Sequence, residues 1–264
     1  MSRVSWRLSL IVPCFNEASR LNEDLFRRFL ANSTATRLVF VDDGSADNTL
    51  DLLARVCSGY EDHATVVRCD RNGGKAAAVR IGINYALENF HQEIIGYWDA
   101  DLATPLECVD NFVKVLDEQP QIEMVFGSRV KLLGRHVERR AARHYLGRIF
   151  ATVVSIMLHL PIYDTQCGAK LFRVRDQTGR IFAEPFLSKW VFDVEIIARY
   201  LNASGNETRR LERMIYEYPL ETWVDVEGSK VRPLDFLTAL VDLIRIQSRY
   251  LSKTKPPSGS ASNF

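Results

Sequence analysis

A chain of 264 residues, 47% apolar and 25% charged, has room for one large globular domain or two small ones. Its formal net charge of +1 gives no overall field for nucleic acid. The five cysteines (Cys14, Cys57, Cys69, Cys108, Cys167) are odd in number and scattered, with no Cys-x-x-Cys pair. That excludes a disulfide framework or zinc ribbon and fits a reducing cytoplasm.

Met1 to Arg7 lacks the apolar core of a secretory leader. Leu8 to Val12 then reads as a first strand, ended by Pro13. Leu21, Leu25, Phe29 and Leu30 recur at helical spacing. Leu38 to Val41 is a second strand, closed by Asp42-Asp43-Gly44-Ser45, and Asp47 or Asn48 is placed to cap the next helix. Val66-Val67 marks a third strand, Asn72-Gly73-Gly74 a turn, and Ala76 to Leu87 a helix. Ile94 to Trp98 is a fourth strand. Thr104-Pro105-Leu106-Glu107 reads as a helix start with Thr at the N-cap, Pro at N1 and Glu at N3. Met124 to Phe126 is a fifth strand.

Strands alternating with helices predict an α/β fold with a mainly parallel central sheet covered by helices. In such sheets ligands sit beyond the carboxyl ends of the strands. The polar clusters fall there: Asn16 with Glu17, Asp42 with Asp43, and Asp99 with Asp101. Residues i and i+2 of a strand share a face, so Asp99 and Asp101 can face one site. Two carboxylates suit a hard divalent cation that completes its shell on substrate phosphates. Solvated turn residues are the plainer reading of the same pair.

The second half is less regular. Arg129 to Arg148 holds seven Arg/Lys against one acid, Glu138, and an apolar stretch follows. That pattern suits an anionic membrane surface or a lipid-linked phosphate; a solvated basic face leading into a core helix fits equally. The longest apolar run, Ile149 to Ile162, is broken by His159 and Pro161 and is too short to span a bilayer. Phe236 to Ile244, followed by Arg245 and Arg249, reads as an amphipathic helix, and Pro256 to Phe264 as a disordered tail. No Gly-x-Gly-x-x-Gly follows the first strand, which disfavours a dinucleotide enzyme.

The segments LSLIVPCFNEASRL, LVFVDDGSADNT, NGGKAAAVRIGINYA, YWDADLATP and FGSRV occur in order. Together they resemble the inverting, nucleotide-sugar-dependent glycosyltransferases of family 2, typified by dolichyl-phosphate sugar synthases. DTQCGAKLF, WVFDVEI and WVDVEGSKV are similar to dolichyl-phosphate β-glucosyltransferases and their bacterial relatives. The resemblance covers about residues 7 to 235. It implies a single GT-A-type nucleotide-binding domain over 1–235, with a nucleotide-sugar half to about 130 and an acceptor half from about 131 to 235. Residues 236–264 would form the C-terminal helix and tail.

The resemblance also implies roles. Pro13, Asn16 and Glu17 would line the nucleoside pocket. Asp43 would bind the base, with Asp42 supporting its loop. Gly73, Gly74 and Lys75 would lie beside the nucleotide. Asp101 would be the direct Mg²⁺ or Mn²⁺ ligand; Asp99 would contact ribose, the metal or its water. Arg129 and Lys170 would sit near the donor diphosphate or acceptor phosphate, and Ser229 with Lys230 in a loop closing over the donor. Many relatives carry Arg at Lys170 and an aromatic at Ala169, so acceptor-pocket shape is expected to differ. If the acceptor is a hydroxyl, Asp164 and Asp193 are the candidate general bases; an already ionised phosphate needs none. The implied reaction moves a hexose, glucose from UDP-glucose, to a polyprenyl or dolichyl phosphate, at the cytoplasmic face of a membrane. A saccharide acceptor in solution, or nucleotide-sugar binding without catalysis, are the alternatives.

Overall fold

The computed structural model describes residues 6–130, 136–138, 141–224 and 233–252. In chain order the elements are β1 (Leu8–Cys14), α1 (Glu23–Asn32), β2 (Thr36–Asp42), α2 (Thr49–Cys57), β3 (Ala64–Arg68), α3 (Lys75–Asn89), β4 (Ile94–Trp98) and α4 (Cys108–Glu118). There follow β5 (Met124–Ser128), β6 (His136–Glu138), α5 (Ala141–Leu158), β7 (Ala169–Arg173), α6 (Asp176–Ala183), α7 (Phe192–Ala203) and α8 (Thr208–Glu212). The chain continues through β8 (Ile215–Pro219), β9 (Thr222–Val224), α9 (Pro233–Ile246) and a π-helical turn, Gln247–Leu251.

Seven strands form one sheet in the order β3-β2-β1-β4-β7-β5-β8; β6 and β9 pair separately. All neighbours in the large sheet are parallel except β7, which runs antiparallel to both β4 and β5. Alternate strand residues feed two cores, as the two-residue repeat requires. Ile11, Val39, Tyr97, Phe126 and Phe172 face α3, α5, α6 and α7. Leu10, Val12, Phe40, Trp98 and Leu171 face α1, α2 and α4. The expected mainly parallel sheet is present, with β7 as the reversed strand.

One helix start chooses between two expected caps, and another differs from expectation. Asp47, rather than Asn48, accepts the Thr49 amide at 3.0 Å, while Asn48 makes no side-chain cap. The α4 helix begins at Cys108, not beside Thr104. The Thr104 carbonyl is instead taken by the Trp98 indole N–H at 2.8 Å, which holds the segment as a turn. Tight turns, in which the Pro105 and Leu106 carbonyls accept the Cys108 and Val109 amides, lead into the helix.

A buried ion pair fixes the α6–α7 connection. Glu195 on α7 accepts Arg199 at 2.8 Å, the Tyr250 hydroxyl at 3.1 Å and the Leu187 amide at 2.7 Å. Arg199 in turn donates to the carbonyls of Ile181, Glu184 and Pro185. The π-helical turn thereby reaches the loop that carries Lys189.

Candidate active site

The carboxyl ends of β1, β2, β4 and β5 open on one edge of the sheet, and the start of β7 meets them there because it runs the other way. Pro13 is half-buried near the end of β1. Asn16, at a φ of 53°, accepts the Ala46 amide at 2.9 Å and donates its own amide to Ser45 Oγ at 3.0 Å. The Glu17 amide donates to Thr49 Oγ1 at 2.8 Å, and its carboxylate pairs with Arg20. Buried Asp42 accepts the Ser45 amide at 3.2 Å. These bonds stitch the β1–α1 and β2–α2 loops together.

Asp43 accepts the Gly73 and Gly74 amides at 2.9 and 2.8 Å. Burial raises its pKa above the ordinary carboxylate value, and those two amides and Lys189 work against the rise. Gly74 sits at a φ of 89°, which strains any side-chain-bearing residue, and it starts α3 directly at Lys75. The aliphatic part of Lys189 lies over Gly74.

Lys75 forms an ion pair with Asp99, the residue after β4. Partial burial pulls the Lys75 ammonium down, and Asp99, Asp193 and Asp101 together more than reverse this. Asp101 accepts the Ala103 amide at 3.1 Å. Burial, then the Asp99 charge, raises it above the ordinary carboxylate range. Gly168, just ahead of β7, abuts Asp99 so closely that a Cβ would overlap the carboxylate.

Across β7 lies a second set of charges. Arg129 follows β5 and donates to Asp164 through Nε at 2.6 Å and a terminal nitrogen at 2.7 Å. Burial opposes the Arg129 charge; Asp164 outweighs it and holds the guanidinium firmly protonated. The guanidinium lies 5.4 Å from the Trp223 ring centroid. Lys170 on β7 is fully buried. Its ammonium meets Asp193 of α7 at 2.6 Å and also donates to the Cys167 carbonyl. The Tyr97 hydroxyl donates to the same Asp193 oxygen. Buried charges persist only when paired and hydrogen-bonded in this way.

The sequence-derived residues thus fall in three groups: Asp43 with Gly73, Gly74, Lys75, Asp99 and Asp101; Arg129 with Asp164; and Lys170 with Asp193. Ser229 and Lys230 lie outside the described residues, as do Arg139 and Arg140. Sequence reasoning did not single out Lys189 or Gly168. Neither carries a signal until the fold brings it against Gly74 or Asp99.

Asp99 and Asp101 offer oxygen donors only, the set a hard cation takes. Their mutual repulsion, felt in the raised Asp101, is what a cation between them would relieve. No cluster of three or more candidate ligands occurs among the described residues. The pair therefore fits Mg²⁺ or Mn²⁺ whose other ligands come from substrate phosphate and water.

This fold and strand-end cluster define a glycosyltransferase: residues 9–177 match glycosyl transferase family 2, and the chain belongs to that family. It is 33% identical over 261 residues to the dolichyl-phosphate beta-glucosyltransferase of Mus musculus, covering 93% of this chain and 76% of the mouse protein. The Saccharomyces cerevisiae protein of the same description is 30% identical over 268 residues, covering 92% and 75%. Among solved structures, the M. tuberculosis glucosyl-3-phosphoglycerate synthase superposes with a TM-score of 0.63 at 18% identity, covering 92% and 81%. Its complex with Mn²⁺, UDP-glucose and phosphoglyceric acid gives 0.64 at 18% identity, covering 92% and 80%. That likeness is one of fold. No helix among the described residues is long and apolar enough to cross a membrane.

Proposed function

We propose that this enzyme transfers glucose, with inversion, from UDP-glucose to a polyprenyl phosphate at a membrane surface, using a divalent cation. The observation that carries the reading is the oxygen-only pair Asp99–Asp101, flanked by Lys75 on one side and Arg129 on the other. Kinship with dolichyl-phosphate beta-glucosyltransferases supports the sugar and the acceptor class.

In this reading Asp43 accepts the imide N–H of uracil with the lone pairs its two amide bonds leave free. Pro13, Asn16 and Glu17 wall the nucleoside. An acceptor phosphate oxygen attacks the anomeric carbon, a new C–O bond forms, and UDP leaves with the electrons of the old one. A cation bound at Asp101 supplies Lewis-acid stabilisation of the β-phosphate. Lys75 holds Asp99 in place and adds positive charge beside the leaving group. Asp164 and Asp193 each neutralise a cation, so neither stands ready as a base; an acceptor already ionised at neutral pH suits that arrangement. Exposed Ile149, Val153 and Ile156 on α5, with Leu240, Val241 and Ile244 on α9, support contact with a lipid surface.

The test is UDP release from a panel of nucleotide sugars with polyprenyl phosphate and Mn²⁺. UDP-glucose with the lipid phosphate is expected to turn over fastest, and EDTA to stop it. Preferred transfer to a saccharide hydroxyl, or undiminished activity in EDTA, overturns the reading. Arg139→Glu with Arg140→Glu is expected to weaken binding to anionic vesicles.

A further inference from the structure

A cavity of about 60 Å³ lies between the middle of α5, the end of β5 and the loop before β7. This is several times the roughly 15 Å³ that one water needs. Its walls include Arg129, Arg148, Tyr163, Asp164, Thr165 and Gln166. Two of these carry a hidden polar atom with no hydrogen-bond partner: Thr165 Oγ1 and Gln166 Nε2. Thr165 is only 2% exposed. Buried polar atoms in folded proteins almost always find partners, so two neighbouring orphans on one cavity-lining loop point to a ligand that this loop takes.

The chemistry of the wall says which kind. Gln166 Nε2 only donates, and a hydroxyl beside it donates as readily as it accepts. Arg148 lays its guanidinium 4.0 Å over the Tyr163 ring, which pre-orients the charge without neutralising it. Asp164, the one carboxylate of the wall, is spent on Arg129 through both oxygens. The loop itself is braced from behind, where Glu217 accepts the Tyr163 and Asp164 amides at 2.8 and 2.7 Å. Donors and guanidinium groups on a braced loop match an anion with several acceptor oxygens.

We infer that this cavity receives the phosphoryl group of a phosphomonoester acceptor, with Thr165 Oγ1 and Gln166 Nε2 as the neutral donors that select it and Arg148 as the cation that draws it in. The inference deepens the proposed function and rests on its assignment of a phosphate acceptor. It assigns selectivity to Thr165 and Gln166, which make no other side-chain bond. A saccharide hydroxyl brings no charge for Arg148, whereas a phosphoryl group brings both the charge and several acceptor oxygens.

The experiment is calorimetric titration of the full chain, with UDP and Mn²⁺ filling the donor site, using farnesyl phosphate and inorganic phosphate as probes. Thr165→Val and Gln166→Leu are expected to weaken both probes on the order of tenfold each, as loss of a hydrogen bond to a charged group requires. UDP affinity should stay within about twofold in either variant, and Tm should hold or rise because an orphan has been removed. Farnesyl phosphate binding more tightly than inorganic phosphate supports the site and assigns a lipid source; equal binding supports it and assigns a soluble phosphate. Probe affinities equal in wild type and both variants, or no binding to wild type, overturn the inference even if polyprenyl phosphate is still glucosylated. If the probes bind and the variants weaken them while transfer goes only to a saccharide hydroxyl, the proposed function fails and the anion cavity stands.

Discussion

The aspartates on the two sides of β7 have opposite surroundings. Asp99 keeps about a third of its side chain exposed, at 34%, and Asp101 is held by a backbone amide and repelled by its neighbour. Asp164 and Asp193 are 8% and 6% exposed, and each is closed off by a cation. The same side chain therefore does two jobs within a few strands. Asp99, though paired with Lys75, still repels Asp101, which leaves negative charge to spare for a ligand; Asp164 and Asp193, each matched by its own cation, shape the scaffold.

The sharpest way to break this contrast is to remove one member from each side. Asp101→Ala is expected to lower transfer on the order of 10³-fold, read as UDP release, with far-UV circular dichroism unchanged. Asp193→Ala is expected to act on folding first: stranding the buried Lys170 ammonium costs about 3–5 kcal/mol, measurable by urea unfolding. Adding Lys170→Met should recover much of that loss. If Asp193→Ala left stability untouched and only slowed transfer, the contrast drawn here would collapse.

A subtler probe sits on the boundary. Gly168→Ala puts a methyl group where the Asp99 carboxylate now lies, so Asp99 must move off Lys75. A displacement near 1 Å is expected to cost about 10²-fold in kcat, with little change in stability. The smallest effect concerns pH. Because Asp101 titrates above the ordinary range, the folded protein favours its protonated form. Stability is then full below the unfolded carboxylate value and declines as pH rises through the raised one. In the ligand-free protein Asp101→Asn should raise Tm at pH 7 and leave it unchanged near about pH 3.

The donor side of this contrast was far more legible in the sequence than the acceptor side. Continuous apolar runs closed by Asp42-Asp43 or by Asp99 mark buried strands and the loops after them, and both are local signals. The β7 strand left no such trace, because Lys170 stands in the middle of its apolar residues. Its charge is met by Asp193, 23 residues on and in a helix, whose same oxygen also accepts the Tyr97 hydroxyl from a neighbouring strand. Nothing local announces that pairing. The Thr104 motif failed for a similar reason: the Trp98 indole claims the carbonyl that an N-cap residue would have given to the first intrahelical bond. Thr165 and Gln166 look like ordinary loop residues until the fold hides them without partners.

The reversed strand also acts as a ruler. β4 and β5 do not touch; β7 lies between them, hydrogen-bonded to both. Two strand spacings are about 10 Å. That interval separates the end of β4, with its metal-type carboxylates, from the end of β5, with Arg129. It is set by backbone hydrogen bonds, which neither flex nor shift register without exposing a core face. On the proposed function, the gap that leaving group and incoming nucleophile would share is therefore built into the weave of the sheet, and side-chain changes can retune what binds at either end without altering the distance between them.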